Sequence, residues 1–118
     1  MTKEEFLKRM YDTEINASFV QKIETKYACN LPNDVKKILS VSKEQLFFDE
    51  ERRLLSSNEI ENASEQLHVD FQKLGLLPII DAYENDFISF NYKKKNWCYF
   101  NVNDNSIFSE NKTIEALL

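Results

Sequence analysis

At 118 residues and 42% hydrophobic content, the chain suits one domain with one continuous core and leaves no room for a second. Its longest apolar runs, such as Leu76-Leu77-Pro78-Ile79-Ile80, fall far short of the ~20 residues that cross a bilayer. Met1-Thr2-Lys3-Glu4-Glu5-Phe6 leads into no apolar export signal, so the expected location is the cytoplasm, with no membrane partner. The net charge of −5 is unevenly spread: residues 44–92 hold eleven Asp/Glu against three Lys/Arg, whereas residues 1–43 hold six against eight. An acidic middle repels phosphate backbones, which argues against nucleic acid as a direct partner and for a basic protein; plain solubility is the competing explanation.

Thr2-Lys3-Glu4-Glu5 has capping-box spacing, and Phe6, Leu7 and Met10 follow at helical intervals, so a first helix is expected to about Tyr11. A second begins near Asn16, with Phe19, Val20, Ile23 and Tyr27 as its apolar stripe. Leu31-Pro32 interrupts the chain and opens a third helix, whose buried face is Val35, Ile38 and Leu39. Leu46-Phe47-Phe48 and Arg53-Leu54-Leu55 read as short strands around a charged turn, Asp49-Glu50-Glu51-Arg52. A fourth helix is then predicted from the Ser56-Ser57-Asn58-Glu59 cap through Ile60, Ala63, Leu67, Phe71 and Leu74, ending at Gly75, the only glycine. Four aromatic or β-branched runs follow, over residues 76–80, 86–92, 97–102 and 106–108, with gaps so short that antiparallel hairpins are expected. Thr113 caps the opening of a last, short helix. The pattern is α+β: N-terminal helices, a mainly antiparallel sheet with an inserted helix, and a short C-terminal helix, all in one domain over 1–118.

Residues able to do chemistry are sparse. Cys29 and Cys98 lack C-x-x-C spacing and neighbouring positive charge, so both are expected as buried thiols. The sole histidine, His68, has no evident orienting partner, and one glycine excludes every glycine-rich phosphate loop. Asn101-Val102-Asn103-Asp104-Asn105 only faintly matches a calcium loop, because Ser106 and Lys112 stand where such loops take Gly and Glu; a hairpin turn explains the same residues. No metal, no cofactor and no catalytic residue is expected, and a hydrolase using the clustered acids is the least favoured reading. The candidate partner-binding residues are Asp49, Glu50, Glu51, Asp81, Glu84 and Asp86, with Trp97 and Tyr99 as aromatic anchors. Alternation puts Trp97, Tyr99 and Asn101 on one sheet face and Cys98, Phe100 and Val102 on the other. The second set reads as core; the first is either a recognition face or a second face covered by helices.

Several segments together resemble the SUKH superfamily, which includes yeast cell-wall assembly regulators and bacterial immunity proteins. Phe19 to Leu39, with Leu31-Pro32-Asn33-Asp34 at its centre, is similar to the family's helix, Leu-Pro and second helix. Leu54-Leu55-Ser56-Ser57-Asn58-Glu59-Ile60 resembles its strand entering a helix, and Leu77-Pro78-Ile79-Ile80 with Asn85-Asp86-Phe87-Ile88-Ser89-Phe90 resembles its central hairpin. The likeness spans 15–118. Where family members carry glycines, this chain has Val41-Ser42-Lys43 and Glu84-Asn85-Asp86, and Asn and Asp can take turns that glycine otherwise takes. The resemblance implies a cytoplasmic antidote that binds and neutralises a toxin, often a nuclease, as a monomer or weak homodimer. The alternative is a regulatory adaptor that docks on an enzyme or scaffold of its own cell.

Overall fold

The computed structural model describes residues 1–41, 46–48 and 52–118. Three helices open the chain: α1 (Lys3–Asp12), α2 (Ala17–Tyr27) and α3 (Asn33–Val41). Thr2 Oγ1 caps α1 by accepting from the Glu5 amide at 3.1 Å, and Asn16 Oδ1 caps α2 from the Phe19 amide at 3.2 Å. α2 ends where Ala28 turns left-handed at φ 53. Glu24 then accepts from the Leu31 amide at 2.8 Å, fixing the Leu-Pro entry to α3. Of the predicted stripes, Phe6 and Met10, then Val20, Ile23 and Tyr27, then Val35, Ile38 and Leu39 are buried, while Leu7 and Phe19 are half-buried against the core.

A six-stranded sheet follows, β1 (Leu46–Phe47), β2 (Arg53–Leu54), β3 (Leu76–Tyr83), β4 (Asp86–Asn91), β5 (Asn96–Asn101) and β6 (Ile107–Asn111). Every neighbouring pair is antiparallel and the strand order is the chain order. The fold is thus α+β, as the pattern predicts. No helix among the described residues is long and apolar enough to cross a membrane.

Two predicted elements need correction. The single fourth helix is three short ones, α4 (Ser57–Glu61), α5 (Ala63–Leu67) and α6 (Phe71–Leu74). Its start is as expected, a complete capping box between Ser56 and Glu59, and so is its end, Gly75 at φ 74. Between them, Asn62 donates its side-chain amide back to the Asn58 carbonyl at 3.0 Å, exposed His68 turns left-handed at φ 55, and Asp70 caps α6 by accepting from the Lys73 amide at 3.1 Å. A continuous helix would place Val69 about 200° around the axis from Leu67, off the apolar stripe. The break buries Val69 together with Phe71. The last helix is only one 3-10 turn, Ile114–Leu117, with Ile114 as its buried residue.

Cross-strand partners share a sheet face, so register assigns the sides. One face carries Arg53, Asp81, Phe87 and Phe100; α4–α6 pack on it, with the Phe71 and Phe100 rings 5.6 Å apart. The other carries Ile80, Ile88 and Tyr99, and the 3-10 turn folds back towards it, where Tyr99 Oη donates to the Leu117 carbonyl at 3.3 Å.

Candidate functional site

The β3–β4 connection is a two-residue turn in which Glu84 and Asn85 are both left-handed, at φ 47 and 68, between the paired residues Tyr83 and Asp86. Type I′ hairpin turns require this, and their twist matches that of the strands. The turn therefore holds its conformation without glycine. The β5–β6 turn lies beside it, since the Val102 amide donates to the Asn85 carbonyl at 3.0 Å. In that second turn Asn101 Oδ1 accepts from the Asn103 amide and Asp104 Oδ1 from the Ser106 amide, both at 2.9 Å. The Ser106 hydrogen bonds hold the Asp104 carboxyl below its usual range. These oxygens are occupied in making a hairpin turn, and among the described residues no three His, Cys, Asp or Glu stand grouped to hold a metal ion.

Glu84, Asp86 and Asp104 thus gather at one end of the sheet. Glu84 is exposed at the turn tip, and Asp86 is half-buried, its Oδ1 accepting from Asn101 Nδ2 at 2.8 Å. The opposite end of β4 carries Lys93-Lys94-Lys95. There Lys93 Nζ donates to the Lys73 carbonyl at 2.9 Å, and Lys94 meets Glu110 at 3.1 Å. The sheet is negative at one end and positive at the other, an arrangement that orients an approaching charged partner.

The remaining predicted residues distribute differently. Asp49, Glu50 and Glu51 lie outside the described residues. Asp81 is separated from Glu84 and Asp86, because register shifts between Asp81 and Tyr83 and the two pair with adjacent residues of β4, Phe87 and Asp86. Asp81 accordingly points to the helix-covered face, beside Arg53 and Glu59. Trp97 is corrected outright as an anchor: it is 1% exposed, with its ring 5.1 Å from Phe90. Alternation places it correctly beside Tyr99, but the face is covered at Trp97's end and open at the other. Tyr99 is half-buried, its ring 5.5 Å from that of Phe108 across the β5–β6 pair.

The exposed aromatics at the acidic end are residues that sequence reasoning passed over. Tyr83 is 53% exposed opposite Asp86, and Phe108 is 39% exposed opposite Tyr99. Tyr83, Asp86, Asn101, Tyr99 and Phe108 share one sheet face by register, so acids and aromatic surface meet there. The available signal was Tyr83 directly before a polar turn. The β6 edge is a poor platform for a further strand: Ser109 is left-handed at φ 55, and a register shift there marks a bulge, a device that discourages edge-to-edge pairing.

Cys98 is fully buried and Cys29 half-buried, and burial pushes both thiols up to about 11, so neither is a thiolate near neutrality. Comparison with family models, with curated proteins and with solved structures finds no match.

Proposed function

We propose that this protein is a non-enzymatic binding module whose acidic hairpin end docks on a basic protein surface, and that it serves as an immunity protein neutralising a toxin domain, as the resemblance to the SUKH superfamily implies. The observation that carries the reading is the meeting of exposed Tyr83 and Phe108 with Glu84, Asp86 and Asp104 on one open part of the sheet. Tyr and Phe supply apolar contact area and acids supply long-range attraction, the combination that interface cores and rims use. A nuclease toxin keeps a basic surface for nucleic acid, and an acidic module can cover it.

The test has two stages. The toxin-like reading frame beside this gene is expressed with and without this chain; rescue of growth supports immunity, and no rescue from any neighbouring frame turns the reading to the adaptor. Association with the rescued toxin is then measured against salt. Reversing Glu84 and Asp86 to Lys is expected to slow association about tenfold at low ionic strength and to matter little at high salt, where attraction is screened within a few ångströms. Unchanged association rate and salt dependence would reduce the acids to a solubility device.

A further inference from the structure

A cavity of about 100 Å³ lies between α4–α5 and the sheet. Its apolar wall is Leu55, Ala63, Leu67 and Phe87, and its polar side is Gln66 with the Arg53–Glu59–Asp81 group. Arg53 grips Glu59 with two hydrogen bonds, both 2.7 Å. Asp81 is the third member and is held much less closely. Its Oδ2 stands 3.8 Å from Arg53 Nη2, beyond hydrogen-bond reach, and its carboxylate accepts no hydrogen bond from any described residue. Asp81 is therefore the least satisfied acceptor of the three, on a carboxylate that is 36% exposed at the cavity.

We infer that this cavity receives a primary alkylammonium, the side chain of a lysine presented by the protein partner, with the ammonium on Asp81 and the methylene stem along Phe87 and Leu67. This rests on the protein-binding reading above and names the chemistry of a second contact, on the face opposite the acidic hairpin end. A lysine side chain joins an apolar stem to a compact cation, which matches apolar walls ending in one under-bonded acceptor. An arginine fork fits less well: its planar head seeks two acceptor atoms and would bring a second guanidinium against Arg53. Burial raises the Asp81 carboxyl above its usual range, Arg53 opposes this and Glu59 adds to it, so an arriving cation relieves an existing cost.

The test uses the full chain, n-butylammonium as probe and n-butanol as its neutral counterpart, followed by amide chemical shifts at fixed ionic strength. Expected are saturable shifts at Ala63, Leu67, Asp81 and Phe87, with butylammonium binding at least tenfold tighter than butanol. Asp81→Asn should remove that preference, Ala63→Leu should abolish binding by filling the cavity, and Glu115→Gln, at an exposed acid of the 3-10 turn, should change nothing. Equal binding of the two probes, full affinity in Asp81→Asn, or shifts confined to the Glu84 hairpin would each overturn the inference. None of these outcomes touches the hairpin proposal, which is decided by the association kinetics of Glu84 and Asp86 reversals.

Discussion

Replacing Glu59 by Gln preserves the shape of the capping box while removing the charge that Arg53 grips. The two side chains are each 23% exposed and bonded twice at 2.7 Å, which places the pair between surface and interior. Arg53's hydrogen bonds, foremost, draw the Glu59 carboxyl down from 4.5 to about 2. A carboxyl whose folded value lies below its unfolded value contributes stability that is complete above pH 4.5 and is lost as pH falls towards 2. At about 1.4 kcal/mol for each pH unit between the two values, the contribution is about 3 kcal/mol, and screening at a quarter-exposed pair lowers it to about 2 kcal/mol. Urea unfolding of both chains across the acid range measures this directly. Glu59→Gln should be about 2 kcal/mol less stable at neutral pH, with the gap closing as pH approaches 2. Asp81, raised by burial, titrates in the opposite sense, and because the Glu59 charge adds to that rise, its removal lets Asp81 ionise more readily beside Arg53 and offsets part of the loss. Equal stability at neutral pH, or a gap that persists in acid, would refute the assignment of this pair as the main charged brace between β2 and α4.

Two further outcomes follow from packing. Trp97→Ala should cost about 3–5 kcal/mol of unfolding free energy, as removal of a fully buried aromatic does, while partner affinity per folded molecule stays unchanged; loss of affinity without loss of stability would restore Trp97 as a binding anchor. Gly75→Ala places a methyl at φ 74 and 2.6 Å from Lys93 Cδ, so a destabilisation of about 1–2 kcal/mol is expected in thermal melts, and an unaltered midpoint would contradict the left-handed cap.

The N-terminal helices were legible because their caps and stripes agree: Thr2, Asn16 and Leu31-Pro32 mark starts, and the residues at helical spacing are buried, with Leu7 and Phe19 half-buried at the margins. The hairpins were legible because aromatic runs alternate with short polar turns. The fourth helix misled because Ile60, Ala63, Leu67 and Phe71 do recur at helical spacing, yet local polar competitors at Asn62 and Asp70 interrupt the backbone between them. The site was half legible. Charge counting found Glu84 and Asp86, but a register shift between Asp81 and Tyr83 is invisible to charge counting, and it sends Asp81 to the other face. Alternation grouped Trp97 with Tyr99 correctly and could not say how far along the face the cover extends.

The strictly sequential strand order bears on how the chain finds its structure. β3 to β6 are joined by turns of a few residues, so each pairing closes a small loop and can form as soon as both strands are available. The β2–β3 pairing must instead bring Leu54 back to Ile80 across residues 55–75, where α4–α6 are each too short to persist alone. Closing a loop of about twenty residues rather than about four costs about 1.4 kcal/mol more in chain entropy. The β3–β6 meander is therefore expected to assemble early, and docking of β1, β2 and the three short helices on it to be the later, more readily reversed step. Hydrogen exchange would display this as amides in α4–α6 that open before those of β4 and β5.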